Sequence, residues 1–340
     1  MLLQPRLLKF KSSIFPDTDI MASQGLTREQ LESFNRDGYL IIPDALSAVT
    51  VKSLLDETKS MLSSLDLSTH PMTKFSTGGE DGQDHVGDAY FLGSGDKIRF
   101  FLEEDATFDP ATGQLSMPKE RAVNKIGHAL HVLSEPFRNL LNPDAVANPA
   151  SVANSLGFQD PRVLQSMVIC KQPEIGGAVP PHQDSCFLYT NPPSAVGFWY
   201  ALEDATLDNG CLSFLPGSHR WAPIEKRLIR KRAGVPDEEA GGTLMVDNLD
   251  GNTFPSADTL STEERAQRQE DSASEDYVPG EVKAGSLVLI HGNLLHKSEK
   301  NLSQKGRIIY TFHIIEGQGT VYDYRNWLQP PAGGFTKLYA

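Results

Sequence analysis

Cysteine is scarce in this chain of 340 residues, where it occurs only as Cys170, Cys186 and Cys211. Three unevenly spaced cysteines are too few for a framework of disulfides and lack the CxxC spacing of a zinc site. Thiols that stay unpaired are typical of reducing compartments. We therefore expect an intracellular protein, most simply a cytoplasmic one.

Long apolar runs are also missing, since no stretch approaches the roughly eighteen residues that a membrane-spanning helix needs. Basic residues are outnumbered, with 31 Lys and Arg against 44 Asp and Glu, which gives a formal net charge of -13. This excess of negative charge would repel nucleic acid at long range. We expect neither a membrane nor a nucleic-acid partner. We expect instead a small-molecule substrate, including an anionic one, since small anions respond to local charge. The oligomeric state stays open.

The first twenty residues, MLLQPRLLKFKSSIFPDTDI, contain three basic residues and no acid before Asp17. Such a composition resembles a weak mitochondrial presequence. Met21, however, offers a second start directly before a well-marked helix. We interpret residues 1–20 as a disordered extension ahead of a single domain at 21–340, with mitochondrial targeting as the alternative. The final residues KLYA do not match the peroxisomal address SKL.

Helices are indicated in the first half of the chain. Thr27 and Gln30 form a capping box for a short helix that ends at Gly38, and a strand follows it. Apolar residues at helical spacing predict a second helix over Ala48 to Leu65. The same argument predicts a third over Asn124 to Leu141.

Strands are indicated from about residue 163 onwards. Short β-branched and aromatic runs are separated by Gly, Pro and Asn, namely VLQSMVICKQ, AVGFWYALED, CLSFLPGSHR, SLVLIHG and RIIYTFHII. Jelly rolls and small barrels have this pattern. Residues 225–281 interrupt it with a polar stretch that is basic at its start and acidic at its end. It is too long for an ordinary connection, so we predict a flexible insert, with a functional lid as the alternative.

Two stretches carry residues that could bind a metal. PPHQDSCFLYT places His182 and Asp184 two apart, so that in a strand both would face one side. LVLIHGNLLHKSEKN adds His291 and His296, and Arg307 opens the next strand. Two histidines and one carboxylate leave open positions on a metal, as in non-heme Fe(II) oxygenases. A guanidinium nearby would hold a dicarboxylate through paired hydrogen bonds.

With these residues the chain resembles the phytanoyl-CoA dioxygenase (PhyH) family of Fe(II)/2-oxoglutarate-dependent oxygenases. The stretches that carry the resemblance are GDKIRFF, NKIGHALH, KQPEIGGAVPPHQDSCFLYT, LEDATLDNGCL, PGSH, LVLIHGNLLHKSEKNLS, YTFHIIEG and NWLQP. It implies a mainly β fold with flanking helices, a double-stranded β-helix (a cupin-like jelly roll) with the N-terminal helices packed on it. It implies His182, Asp184 and His296 as iron ligands, since His296 is followed by Ser298 and Arg307 as in the family.

The resemblance also implies Fe(II), 2-oxoglutarate as co-substrate, and dioxygen. Besides the metal ligands, the contacts to 2-oxoglutarate fall on Lys125, Met167, Gln183, Trp199, Ser298 and Arg307. Gln183 fits this role poorly, because strand alternation directs it away from its neighbours. Met167 and Trp199 could equally be core residues.

The implied reaction converts 2-oxoglutarate into succinate and CO2 and hydroxylates a substrate that the sequence does not identify. Because related halogenases have a small residue in place of Asp184, we expect hydroxylation or desaturation rather than halogenation. The absence of a peroxisomal address argues against phytanoyl-CoA itself. The alternatives are a zinc-dependent hydrolase with the same ligands and a non-catalytic module that binds metal or 2-oxoglutarate.

Overall fold

The computed structural model describes residues 25–78, 84–141, 148–249 and 276–339. The extension at 1–20, which we expected to be disordered, lies outside the described residues. The same holds for residues 250–275 of the expected insert. None of the helices in the described ranges is long and apolar enough to cross a membrane.

The described α-helices all precede residue 156. They are α1 (Arg28–Asp37), α2 (Ala48–Ser64), α3 (Ala89–Leu92), α4 (Lys119–Ala122), α5 (Leu130–Leu133), α6 (Glu135–Arg138) and α7 (Pro149–Ser155). Short 3₁₀ helices occupy Asn139–Leu141, Asp184–Cys186, Ser218–Arg220 and Asp237–Glu239. The strands are β1 (Tyr39–Ile42), β2 (Thr77–Gly78), β3 (Asp84–His85), β4 (Ile98–Leu102), β5 (Val123–His128), β6 (Pro161–Lys171), β7 (Val179–His182), β8 (Thr190–Asn191), β9 (Val196–Ala201), β10 (Leu212–Phe214), β11 (Lys226–Arg230), β12 (Thr243–Asp247), β13 (Val278–Gly280), β14 (Leu287–His291), β15 (His296–Ser298), β16 (Arg307–Glu316), β17 (Val321–Tyr322) and β18 (Thr336–Lys337).

The first two helices confirm their predictions. The Thr27 hydroxyl accepts from the backbone N–H of Gln30, and the Gln30 side chain accepts from the N–H of Thr27, which is the predicted capping box. Gly38 ends α1 in the left-handed conformation, with φ of 82°. Helix α2 spans Ala48–Ser64, one residue short of the prediction.

The predicted third helix over Asn124–Leu141 is wrong. Residues Val123–His128 form strand β5, which is hydrogen-bonded to β4 on one side and to β6 on the other. Only the short helices α5 and α6 follow it. The helical spacing of the apolar residues continues across the boundary, because Ile126 lies in β5 whereas Leu130, Leu133 and Phe137 lie in α5 and α6. Apolar spacing alone did not reveal this break.

Two antiparallel sheets form the body of the protein. The large sheet has the order β1-β14-β9-β16-β6-β5-β4, with β18 also paired to β6, and the small sheet has the order β13-β10-β15-β7. Along the chain the strands alternate between the sheets, from β6 to β7, from β9 to β10, and from β14 to β15 to β16. This winding is that of a jelly roll, as the sequence predicted.

The large sheet separates two apolar layers, because successive strand residues face opposite sides. On β9, Phe198 and Tyr200 pack with residues of the helices, such as Leu54 of α2. Trp199 and Ala201 face the inside of the roll, where they join residues of the small sheet. Strand β16 alternates in the same way, and the functional side chains described below come from its inner face.

Part of the expected flexible insert is folded. Strands β11 and β12 pair into an antiparallel hairpin within residues 226–247. Arg227 of β11 is 1% exposed, and its Nη1 lies 2.6 Å from Asp323 Oδ2. Arg230 donates from Nε to the carbonyl of Trp327 at 2.8 Å. Two of the basic residues at the start of the expected insert, Arg227 and Arg230, therefore anchor the hairpin to the C-terminal segment.

Candidate metal centre

Three predicted ligands meet at the edge of the small sheet. His182 ends β7, and His296 opposite it begins β15. We had expected Asp184 to continue the strand, but it begins a 3₁₀ helix. Its Oδ1 lies 3.6 Å from Nε2 of His182 and 3.8 Å from Nε2 of His296. Among the described residues, this is the one group whose ligand atoms all lie within 4.8 Å of one another.

Both histidines are oriented with Nε2 towards the shared point. His182 Nδ1 lies 2.9 Å from the carbonyl of Pro180, and His296 Nδ1 lies 3.0 Å from the carbonyl of Leu294. A carbonyl oxygen only accepts, so Nδ1 carries the proton and Nε2 keeps its lone pair for a metal. Burial lowers the pKa of His296 to about 4, which keeps this ring neutral.

Asp184 is held as a carboxylate. Burial alone would raise its pKa, but His313, whose Nε2 lies 3.1 Å from Oδ2, is the largest opposing influence, and the pKa lies well below the usual value. Two imidazole nitrogens and one carboxylate oxygen form a donor set that fits a divalent transition metal such as Fe(II). His291, the other histidine of the second motif, lies apart, with its ring 4.9 Å from that of His219.

A cavity of about 620 Å³ opens beside the three ligands. Its size is typical of a site for small molecules. All of the predicted contacts to 2-oxoglutarate lie on its wall, namely Lys125, Met167, Gln183, Trp199, Ser298 and Arg307.

Arg307 provides a guanidinium to this cavity. It is 2% exposed, and its Nη1 donates to the carbonyl of Gly210 at 2.6 Å. Its Cζ lies 5.5 Å from the centroid of the Trp199 ring, and its Nε has no hydrogen-bond partner among the described residues. Burial lowers its pKa to about 10, so it remains charged at neutral pH. An incompletely satisfied buried cation is costly, and an anionic ligand would compensate it.

Two lysines add positive charge to the cavity wall. Lys171, which pairs with Arg307 across β6 and β16, donates from Nζ to the hydroxyl of Ser298 at 2.7 Å. Lys125 Nζ lies 3.3 Å from the centroid of the Phe75 ring. Burial lowers the pKa of each lysine to about 7.

Glu103 is a buried acid on the same wall. Its Oε2 accepts from the side-chain amide of Asn124 at 2.9 Å and from the N–H of Gly177 at 3.3 Å. Its Oε1 lacks a hydrogen-bond partner in the described part of the chain. Burial raises the pKa of Glu103 to about 7.

The side-chain amide of Gln183 is hydrogen-bonded to the protein backbone. Its Nε2 donates to the carbonyls of Ala222 at 3.1 Å and Asn293 at 2.8 Å. These bonds connect the end of β7 to the segment after the Ser218–Arg220 3₁₀ helix and to the turn before His296. Strand alternation had already made Gln183 a poor fit for a contact with the co-substrate, and these bonds occupy its amide nitrogen.

The sequence analysis missed Lys171, Glu103 and His313. The signal for His313 was its spacing from Arg307, because residues six apart on a strand share a face. Lys171 and Glu103 had no comparable local signal. Their places in the cavity depend on pairing with residues far along the chain.

The outer part of the cavity is mainly apolar. Its wall comes from the segment after the metal ligands, from the β11–β12 hairpin and from the C-terminal segment, through Phe187, Trp221, Leu228, Met245 and Trp327. Leu228 and Met245 face each other across the hairpin. Two charged side chains, Glu225 and Lys226, lie beside this wall.

Comparison with known proteins agrees with this geometry. The profile of the family Phytanoyl-CoA dioxygenase (PhyH) matches residues 34–309. Phytanoyl-CoA dioxygenase domain-containing protein 1 of Bos taurus is 42% identical, over 92% of this chain and 99% of that protein. Phytanoyl-CoA dioxygenase of Arabidopsis thaliana is 39% identical, over 89% and 94%.

A solved structure shares the fold at low sequence identity. EctD from S. alaskensis, crystallised with 2-oxoglutarate and 5-hydroxyectoine, aligns with a TM-score of 0.51 at 18% identity, over 88% of this chain and 79% of that one. The chain belongs to the phytanoyl-CoA dioxygenase (PhyH) family and is an iron- and 2-oxoglutarate-dependent dioxygenase.

Proposed function

We propose that the protein hydroxylates a small, largely apolar molecule at the centre formed by His182, Asp184 and His296. The observation that carries this proposal is the placement of three convergent ligand atoms beside a cavity that also presents the buried guanidinium of Arg307. Iron(II) bound there supplies the redox chemistry that couples conversion of 2-oxoglutarate and dioxygen into succinate and CO2 to hydroxylation of the substrate.

The ligand residues orient the centre before metal binds. The Nδ1 contacts of both histidines with backbone carbonyls fix their ring planes and leave Nε2 as the donor. Three protein ligands leave the remaining positions for co-substrate and dioxygen. Because Asp184 provides the third ligand, we expect hydroxylation or desaturation and not halogenation.

Arg307 and Ser298 bind the distal carboxylate of 2-oxoglutarate. Ser298 Oγ already accepts from Lys171, so its own hydroxyl proton is free to be donated to that carboxylate. Arg307 donates to the same group from the nitrogens that the protein leaves available. Lys125 adds positive charge to the pocket, while Met167 and Trp199 form its walls.

The outer cavity selects the substrate. Its aromatic and aliphatic wall favours an apolar body, because burying such a surface is the main source of affinity in pockets of this kind. Glu225 and Lys226 offer contacts to a polar or charged group at one end of the substrate. Phytanoyl-CoA is one candidate to be tested, and we expect other substrates to be preferred.

Reconstitution of the metal-free protein tests the proposal. Under anaerobic conditions, addition of Fe(II) and 2-oxoglutarate should produce a visible charge-transfer band, and admission of oxygen should yield succinate. His182→Ala should abolish both signals. His291→Gln, a change in a nearby histidine outside the centre, should retain them.

Absence of both signals in well-folded wild-type protein would contradict the oxygenase assignment. Zn(II)-loaded protein that hydrolyses substrates without 2-oxoglutarate would favour the hydrolase instead. Iron and 2-oxoglutarate binding without turnover against any substrate would favour the binding module. A metabolite screen that measures substrate-stimulated succinate release, with phytanoyl-CoA included, would identify the molecule that is oxidised.

A further inference from the structure

We propose that His313 is a positioning residue for the metal centre. It donates from Nε2 to Oδ2 of Asp184, and this contact directs Oδ1 towards Nε2 of His182 and His296. The inference rests on the proposed metal site and assigns a role to a residue outside the three ligands.

The two oxygens of Asp184 have separate partners. Oδ2 lies 3.1 Å from His313 Nε2, whereas Oδ1 is the oxygen that faces His182 at 3.6 Å and His296 at 3.8 Å. The final torsion of a carboxylate side chain is broad, so by itself it would not select one oxygen for the metal. A hydrogen bond to Oδ2 removes this freedom.

The backbone of Asp184 is less well supported than that of the two histidine ligands. Both histidine ligands lie in paired strands, whereas Asp184 begins a 3₁₀ helix of three residues outside the sheet. His313 belongs to β16, which is paired on one side with β9 and on the other with β6. It therefore connects the least supported ligand to the middle of the large sheet.

His313 does not join the ligand group itself. The ligand atoms of His182, Asp184 and His296 lie within 4.8 Å of one another, and within the described ranges no fourth residue meets this condition with them. His313 instead approaches Asp184 at the oxygen that does not face the other two ligands. It thus acts through Asp184 and not on the metal.

The neighbouring strand leaves room for this contact. Gly197 pairs with His313 across β9 and β16. A Cβ atom at position 197 would lie 3.3 Å from His313 Nε2 and 3.5 Å from Asp184 Oδ2. An added Cβ would be tight against His313 Nε2 and in ordinary contact with Asp184 Oδ2, so glycine leaves the pair unobstructed. The space at Gly197 is a second observation that supports the same pair.

Metal affinity tests the inference without relying on activity. Mn(II) is titrated into chelator-treated protein, and free Mn(II) is measured by electron paramagnetic resonance. His313→Leu should raise the Kd for Mn(II) by about 10- to 100-fold, the usual effect of losing a partner of a metal ligand. His313→Gln, whose amide nitrogen is the same number of bonds from Cα as Nε2, should stay within about threefold of wild type.

The control is Ile314→Val, a mild change at a buried residue on the same strand that packs on the opposite side of the sheet. It should leave the Kd for Mn(II) unchanged. Thermal melting of each metal-free variant separates loss of stability from loss of metal affinity. If His313→Leu does not fold, His313→Asn replaces it, because its shorter amide does not reach Oδ2 and the Kd should rise in the same way.

Each outcome decides the inference. Unchanged Mn(II) affinity in the Leu or Asn variant, or an equal loss in the Gln variant, would overturn the positioning role while leaving the metal site intact. Failure of the wild-type protein to bind Mn(II) would overturn the metal site itself, and with it the proposed function.

Discussion

The ammonium group of Lys171 donates a hydrogen bond of 2.7 Å to the hydroxyl of Ser298. It also donates to the carbonyl of Glu299, so the lysine is fixed by two acceptors on the same segment. Because the Ser298 hydroxyl already accepts a hydrogen bond from Lys171, it can donate its own proton only to another acceptor. In this way Lys171 determines the direction in which Ser298 can donate its proton, which we propose is towards the co-substrate.

Replacement of Lys171 should therefore weaken binding of 2-oxoglutarate. Hydrogen bonds to charged groups contribute about 1.5–3 kcal/mol, so Lys171→Met should raise the KM for 2-oxoglutarate by about tenfold or more, with a smaller change in kcat. Succinate formation at a series of 2-oxoglutarate concentrations measures both values. Lys300→Met is the control, since Lys300 pairs with Asp105 at the surface. An unchanged KM in Lys171→Met would contradict the role given to the Lys171–Ser298 contact.

Binding of 2-oxoglutarate should weaken at alkaline pH. Burial lowers the pKa of Lys125 and of Lys171 to about 7 in the absence of co-substrate. The dianion favours the protonated lysines, which are present below that pKa and lost above it. Between about pH 7 and pH 9 the Kd should rise by up to about tenfold per pH unit for each lysine that must be reprotonated.

Calorimetry at several pH values, in buffers of different ionisation enthalpy, measures both the affinity and the proton uptake. Lys125→Arg should reduce the dependence on pH, because a guanidinium stays charged over this range. Affinity that is flat between pH 6 and pH 9 in the wild-type protein would argue against contact between these ammonium groups and the dianion.

Substitution at the end of α1 should destabilise the fold. Gly38 has a φ of 82°, and a Cβ at this position would lie 2.4 Å from His219 Nδ1. Gly38→Ala should lower the free energy of unfolding by more than about 2 kcal/mol, from backbone strain and overlap together. The matched control is Gly113→Ala, because Gly113 has a φ of 68° but nothing within 4 Å of the added atom. It should cost only about 1 kcal/mol. Equal losses in urea denaturation would show that the contact with His219 contributes nothing.

The ion pair between Arg227 and Asp323, which anchors the β11–β12 hairpin, should contribute strongly to the stability of the folded protein. Asp323 is the acid that the buried Arg227 and the neighbouring Arg325 share, so Asp323→Ala should cost about 3–5 kcal/mol through the loss of both contacts. Asp204→Ala, which breaks a pair with the exposed Lys283, should cost less than about 1 kcal/mol. Denaturant titration at neutral pH compares the two variants.

The contribution of Asp323 should also depend on pH. Burial raises its pKa, but hydrogen bonds from Arg325 and Arg227 more than offset this and lower it to about 2. Since the unfolded value is about 4, the stabilisation is complete above that pH and is lost as the pH falls towards 2. The difference in unfolding free energy between wild type and Asp323→Asn should therefore narrow between about pH 5 and pH 2. A constant difference would contradict an ionised Asp323 in the folded protein.

The three proposed metal ligands could be found in the sequence because their signal is local. His182 and Asp184 are two residues apart, and His296 lies in one short motif with Ser298 and near Arg307. The strands that carry them have strong β-branched and aromatic patterns, which favoured a jelly roll or a small barrel. The family resemblance then selected the jelly roll, and His296 over His291.

Other parts of the site depend on contacts between distant segments. Lys171 reaches Ser298 only through the register of β6, and His313 reaches Asp184 only because β16 runs through the middle of the large sheet. Strand β5 was predicted as part of a helix because its Ile126 continues the helical spacing of the apolar residues in α5 and α6. Arg227 fell within the predicted flexible insert because its partner Asp323 lies 96 residues further along the chain.

The β11–β12 hairpin and the C-terminal segment together line one part of the cavity, and the strands of the two sheets line the other. The hairpin supplies Leu228 and Met245 to the outer wall and is attached through Arg227 and Arg230 to the C-terminal segment. These attachments involve neither the metal ligands nor the basic end of the cavity. Strand β11 also lies beside the 3₁₀ helix that Asp184 begins. The wall that we propose for the substrate is therefore in contact with the segment of one proposed metal ligand, and a change in the hairpin should affect both.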